Sequence, residues 1–411
     1  MVMVPGNATI AFVVSGKSII EAPGGYGTYS LSVARSLQEL GYRVVVIGFA
    51  GGDWSGQFEG LEVVHVGTRL GRLASLGARR ITTLFANRMR DICLDQGTRS
   101  VLVFGAGAWS LAGLKLRDLL APRGVKTQTL AAYFTTYRHE YNGQLQGAPI
   151  RDYGLAAVAP VWLAGLFAKL LFSPGEHALL HHVDRIVIHW ESSRQILLDE
   201  IPDLDVDKII ALPFYVELYD RQVCSQGPVT STRQGARLCV VNRQDPRKAM
   251  SVLLKALKLL VDKDCAFSCD IVGSGPFFKA NRRLAGQLGL AGRVQFRGFV
   301  ASPREYLEHS DIFVMSACEE GASSLSLLEA MLCGLAIAST ACDAIPEDIQ
   351  DGDNGLLAPV GDHLALADCI ERLIRDEPLR QRLALRARES YHEKYSLAAM
   401  RDGLQGLLES L

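Results

Sequence analysis

The chain has 411 residues, of which 48% are hydrophobic and 21% charged, so it holds enough apolar material for two sizeable cores and is not a disordered or low-complexity protein. Lys and Arg total 43 against 44 Asp and Glu, a net charge of −1 that excludes a general nucleic-acid binder. Met1 to Pro5 lack the basic segment of a secretory leader, and the nine cysteines are scattered without a C-x-x-C pair. Both features point to a cytoplasmic protein with reduced, buried thiols.

In chain order, an apolar run from Thr9 to Val14 has strand length, and a loop follows that ends in Pro23-Gly24-Gly25-Tyr26-Gly27. Leu31, Val33, Ala34, Leu37 and Leu40 then recur at helical spacing, with Gly41 as a stop. Apolar strands are expected at 43–49, 61–66, 100–104, 127–134, 185–189 and 208–212, with a helix over 111–120. After Pro213 the alternation lapses, and the polar stretch 219–237 reads as an interdomain linker.

A second alternation begins at Leu238. Strands are expected at 238–242, 268–272, 294–296, 312–315, 336–339 and 355–357. Helices are expected at 249–261, 277–288, 325–333 and 364–375, and the last residues from Pro378 are helical with Arg/Glu-rich outer faces. Strands alternating with amphipathic helices imply parallel sheets with right-handed crossovers. The fold class is therefore α/β, with two doubly wound Rossmann-like domains. The expected division is a first Rossmann-like domain over residues 1–216 and a second over 217–395. A C-terminal helix over 396–411 would pack back on the first domain.

Glycines dominate the expected strand-to-helix turns. Gly24, Gly25 and Gly27 let a ligand approach the backbone at a helix start, where free N–H groups and the positive dipole end favour an anion. The pattern is not G-x-G-x-x-G, so a dinucleotide oxidoreductase is disfavoured; a tight turn with no ligand is the plain alternative. Arg243 and Lys248 follow the first strand of the second half, at the strand end where doubly wound sheets bind ligands, and two cations there suit a diphosphate. A solvated charged turn is the competing reading. Gly273 and Gly275 form a second glycine turn, and Gly298-Phe299 follows another strand, where its backbone would border a base. The segment from Ser316 to Met331 introduces a helix through Gly321, Ala322, Ser323, Ser324 and Leu325. Glu329 sits within its apolar run, where a carboxylate needs partners such as ribose hydroxyls.

The second half resembles the donor domain of retaining glycosyltransferases of family 4, which have the GT-B fold. The resemblance runs through Arg243 and Lys248, Gly273-Ser274-Gly275-Pro276, Ser310-Asp311-Ile312-Phe313-Val314, Leu328-Glu329-Ala330-Met331, Pro346-Glu347 and Asn354-Gly355-Leu356-Leu357. It implies that Arg243 and Lys248 neutralise the donor diphosphate, that Glu329 binds ribose, and that the backbone from Gly321 to Leu325 holds the sugar and distal phosphate. It also implies that no metal or other cofactor is needed, the donor being a substrate, with a UDP-sugar ahead of a GDP-sugar. Glu320 and Glu329 are one residue further apart than the family's usual pair, so either Glu319 or Glu320 takes the first-glutamate role. His139 follows the strand at 127–134, where the family commonly places a histidine against the sugar or acceptor; a solvated loop histidine is the alternative. His177, His181 and His182 read as a helix-surface cluster.

Two features bear on the acceptor, which would be a hydroxyl compound, anionic or lipid-linked. Between Thr68 and Arg90 lie six arginines and no acid. From Leu155 to Phe172 the chain is almost wholly apolar, with Pro160 internal. Buried core, interfacial contact and a membrane span are the three readings of that run, and with the basic stretch it marks a candidate peripheral contact at the inner face of the membrane. The resemblance implies a transferase. A non-catalytic nucleotide-sugar-binding scaffold and a sugar-nucleotide epimerase are the alternatives.

Overall fold

The computed structural model describes residues 9–17, 24–67, 78–216 and 235–411. Most of the linker, at 217–234, lies outside them, as do Thr68 to Gly77 of the arginine-rich stretch.

The first half builds an eight-stranded sheet. Its elements are β1 (Thr9–Lys17), α1 (Gly24–Glu39), β2 (Arg43–Ala50), β3 (Trp54–Phe58), β4 (Leu61–Gly67), α2 (Ala78–Asp95), β5 (Ser100–Ala106), α3 (Leu111–Leu120) and β6 (Lys126–Ala132). Then come α4 (Tyr137–Gly147), α5 (Ile150–Tyr153), α6 (Leu155–His182), β7 (Arg185–Ile188), α7 (Glu191–Glu200) and β8 (Ile209–Ala211). The strand order is β3-β4-β2-β1-β5-β6-β7-β8. All pairings are parallel except that of β3 with β4. The antiparallel edge strand has no counterpart among the expected strands, because Trp54–Phe58 is largely exposed and carries no apolar run. Interior strands such as β2, where Val44 to Ile47 are all buried, read as continuous apolar runs because helices cover both faces.

The second half builds a six-stranded, wholly parallel sheet in the order β11-β10-β9-β12-β13-β14. Its elements are β9 (Ala236–Val241), α8 (Met250–Asp262), β10 (Phe267–Val272), α9 (Phe278–Gln287), β11 (Val294–Gly298), α10 (Arg304–Glu308), β12 (Ile312–Met315), α11 (Leu325–Leu332), β13 (Ala336–Thr340), α12 (Ile345–Asp348), β14 (Leu356–Ala358) and α13 (His363–Arg375). The chain closes with α14 (Glu377–Lys394) and α15 (Leu397–Glu409). The order reverses between β9 and β12, the switch point at which open α/β sheets leave a crevice beyond the strand ends.

Two expected boundaries shift. Residues 236 and 237, placed in the linker by their polar surroundings, begin β9. Gly24, Gly25 and Gly27 form the first turn of α1 rather than a preceding loop. Sequence reading treats glycine as a helix breaker, but here the start of α1 is fixed by packing. Tyr29 is buried, stacked on Phe214 with ring centroids 5.6 Å apart.

The C-terminal helix α15 returns to the first half. Met400, Leu404, Leu407 and Leu408 share one core with Val33 and Leu37 of α1, and the Gln128 side-chain amide donates to the Leu411 carbonyl at 3.1 Å. Asp348, at the end of α12, is wholly buried and joins both halves. It accepts from Trp190 Nε1 at 3.2 Å, from the Tyr395 hydroxyl, and from Lys394 Nζ at 2.5 Å. Eight described cysteines are free thiols, seven of them buried and Cys318 half-buried; Cys224 lies outside the described residues.

Candidate active site

The carboxyl ends of β6 in the first sheet and of β9, β12 and β13 in the second meet at one place. From the first sheet comes the start of α4. Thr136 caps that helix, its hydroxyl accepting from the His139 N–H at 3.0 Å while donating to Glu200 at 2.6 Å. The cap fixes the first turn, which directs His139 and Glu140 at the second sheet.

From the second sheet comes the short 3₁₀ turn Pro246–Lys248, closed by Ala249 in the left-handed region at φ 43°. It is tied to the segment after β12: the Cys318 N–H donates to the Arg247 carbonyl and the Ser316 hydroxyl to the Lys248 carbonyl, both at 2.8 Å. Gly273, at φ 115°, and Gly275 pack directly on the Asn242 and Gln244 carbonyls, where a Cβ would overlap the backbone. These glycines therefore shape the cationic turn itself.

Two buried ion pairs result. Arg247 donates to Glu319 at 2.7 Å, and Lys248 Nζ lies 2.7 Å from Glu320. Arg247 also approaches Asp245 at 3.5 Å and Glu140 of α4 at 3.8 Å, so it faces carboxylates from both sheets. Burial pulls the Lys248 ammonium down, but the Glu320 carboxylate outweighs it and the group titrates above its ordinary range. Burial chiefly raises the Glu140 carboxyl, with Arg247 opposing it.

A third contact crosses the cleft. Asp343, in the loop after β13 at φ 43°, places Oδ1 3.0 Å from His139 Nε2; its Oδ2 accepts the N–H groups of Glu320 and Gly321 at 2.8 and 2.7 Å. Thr135 donates to Glu319 at 3.2 Å. Burial lowers the His139 pKa, yet the Asp343 hydrogen bond and the Asp343, Glu319 and Glu200 charges carry it above the usual imidazole value. Ligand atoms of His139, Glu319 and Asp343 lie within 4.8 Å of one another, a spacing compatible with a metal ion. Here Arg247 and Thr135 hold Glu319, while Asp343 joins His139 to two backbone amides.

The expected site residues divide accordingly. His139, Lys248, Glu320 and Gly321 come together, with Ala322, Ser323, Ser324 and Leu325 leading into α11. Ser324 is its N-cap residue, and the Ser323 hydroxyl is buried without a hydrogen-bond partner among the described residues. Glu329 is half-buried on the same helix. Arg243 stands apart, exposed at the end of β9, and Phe299 is 76% exposed after β11. Arg247, Glu140, Thr135 and Asp343 carry much of the geometry although the sequence assigns them no role. For Arg247 a signal existed, since it lies within the cationic turn; Asp343 offered none.

The chain superimposes over 98% of both chains on sucrose-phosphate synthase from Thermosynechococcus elongatus, with a TM-score of 0.72 and 18% identity. For Anabaena HepE in complex with UDP and glucose the coverage is 98% and 99%, the TM-score 0.67 and the identity 16%. The architecture is the GT-B fold, with two Rossmann-like sheets meeting at their carboxyl ends. Residues 235–376 match the family described as glycosyl transferases group 1. Over 156 residues it is 34% identical to the N-acetyl-alpha-D-glucosaminyl L-malate synthase of Bacillus anthracis, covering 38% of this chain and 40% of that relative. The chain spans less than half the length of the curated relatives it matches.

Proposed function

We propose that the chain is a retaining glycosyltransferase that moves a sugar from a nucleoside diphosphate to a hydroxyl acceptor. The observation that carries this reading is the meeting of a cationic turn, Arg243 to Lys248, with the Gly321–Leu325 backbone and the first turn of α4 from the opposite sheet. The cations and the start of α11 suit a diphosphate, and the buried Ser323 hydroxyl suits a further polar contact there. Gly273 and Gly275 hold the turn in place, and Gly24, Gly25 and Gly27 open α1 on the acceptor side. Phe299 borders the base and Glu329 the ribose.

In this scheme Lys248 and Arg243 stabilise the departing diphosphate, and an oxygen of that diphosphate takes the acceptor proton on the face the leaving group vacates. The bond to the anomeric carbon breaks and the new glycosidic bond forms on the same side, so configuration is retained. Fixed cations at the cleft supply the charge stabilisation, and the scheme routes no step through a metal. Glu320 exchanges its ion pair with Lys248 for contacts to the sugar, and His139 faces the sugar or acceptor. The donor would be a UDP-sugar, in keeping with the UDP held by the HepE structure.

Thermal shifts against UDP-, GDP-, ADP- and dTDP-sugars test the reading, since a ligand bound by the folded state alone raises the melting temperature. A rise with one base is expected, and transfer to an acceptor panel must follow. A flat response to all four counts against the reading; binding without turnover favours the scaffold alternative.

A further inference from the structure

The apolar run from Leu155 to Phe172 lies in α6, the longest helix described, and the fold divides it between two faces. Val158, Val161 and Trp162 turn inward, packing with Ala148 and with Phe277 of the second half. Gly165 lies against the Tyr141 ring of α4, where a Cβ would overlap it, and Lys169 Nζ sits 5.5 Å from the centre of that ring. The other face points away from the protein. Leu163, Leu166, Phe167 and Leu170 follow the i, i+3, i+4, i+7 spacing of one helical stripe and are 56%, 40%, 61% and 62% exposed. Ile150 and Leu155 extend the exposed apolar surface towards α5.

Ion pairing on these three helices is one-sided. The acids of α4, α5 and α6 point elsewhere: Glu140 towards Arg247, Asp152 to Lys255 at 2.7 Å, and buried Glu176 to the Tyr133 hydroxyl. The cations of the same helices, Arg138, Arg151 and Lys169, have no ion-pair partner among the described residues, and the two arginines are exposed. Among the described residues no helix is long and apolar enough to cross a membrane.

We propose that the outer face of α6 docks on an anionic phospholipid surface, with the helix lying in the interfacial plane. Apolar side chains in the headgroup region flanked by cations at its surface are the two elements such binding requires. The face belongs to the helix packed on α4, so docking would bring His139 and the cleft close to an acceptor carried by the same surface. The inference stands independently of the transfer reaction.

Flotation of the full chain with phosphatidylcholine vesicles, with and without phosphatidylglycerol, tests it. Binding is expected to the anionic vesicles and to weaken at high salt. Leu163→Gln with Phe167→Gln should lower the bound fraction about tenfold, because the apolar anchor is lost. Arg138→Gln with Arg151→Gln should erase the preference for anionic lipid while leaving the apolar face intact. Both variants change exposed side chains, and an unaltered circular dichroism melt confirms their folding. Absence of binding to anionic vesicles, or equal binding by the Leu163/Phe167 variant, overturns the proposal. So does a concentration-dependent dimer that this variant dissolves, since a second copy would then cover the face. Nucleotide-sugar thermal shifts on the same samples keep this outcome separate from the fate of the transferase reading.

Discussion

Asp343 reaches across the cleft to His139 with a single carboxylate oxygen, 3.0 Å from the imidazole Nε2, while its other oxygen holds the backbone amides of Glu320 and Gly321. One side chain thereby couples the first turn of α4 to the loop that precedes α11. Burial raises the Asp343 carboxyl, but His139 and the two amides outweigh it and hold the group below its ordinary value.

This pair sets a pH window. His139 titrates above its unfolded value of 6.5, so its contribution is complete below that pH and is lost as pH rises through the raised folded value. Asp343 titrates below its unfolded value of 3.8, so its contribution is present above that pH and is lost as pH falls through the lowered folded value. Asp343→Asn should flatten the fall in melting temperature above pH 6.5 and lower turnover more than donor affinity. Parallel melting curves for the two proteins across that range would sink the assignment.

Lys248→Ala removes the buried cation facing Glu320. If that cation stabilises the departing diphosphate, turnover should fall on the order of 10²–10³-fold. Single-turnover kinetics with a donor known to bind provide the check, and full turnover would show that the phosphate contact lies elsewhere.

Gly147, the last residue of α4, meets the Pro246 carbonyl so closely that a Cβ would overlap it. Gly147→Ala should hold the two halves apart at the cationic turn. The expected result is a larger radius of gyration in small-angle scattering and a raised KM, with both sheets still folded by circular dichroism. An unchanged radius and KM would mean that the turn yields instead.

Burial pushes the Glu176 carboxyl up to about 8 from 4.5, against the opposing hydrogen bond from the Tyr137 N–H. Between those values the folded protein keeps a proton that the unfolded chain has released, so stability declines as pH rises through the window. Glu176→Gln carries no such proton and should gain on the wild type steadily up to about pH 8. Urea titrations at several pH values measure it, and a constant difference between the two proteins would refute it.

Asp348→Ala leaves Trp190 and Tyr395 without their shared acceptor and releases Lys394. A loss of about 2–4 kcal/mol in unfolding free energy is expected, from unpaired buried donors tempered by the exposure of Lys394. A loss well under 1 kcal/mol, on the scale of an exposed ion pair, would show that this contact does little to join the halves.

The sequence by itself determined the alternation of apolar strands and amphipathic helices, and so both parallel sheets, because strand and helix periods are local properties of the chain. It also singled out the turns after β9 and β12, the first by its cations and the second by the small residues ahead of a helix. Tertiary structure alone decided which cation meets which carboxylate. Arg243 and Arg247 lie in one short turn, yet only the second is enclosed, because α4 closes over Arg247 and leaves Arg243 outside. Asp343 and His139 are 204 residues apart, and neither has a local pattern that names the other. The apolar run of α6 shows the same division. Its composition was plain from the sequence, but which side chains face the protein and which face outward depended on where α4 and Phe277 stood.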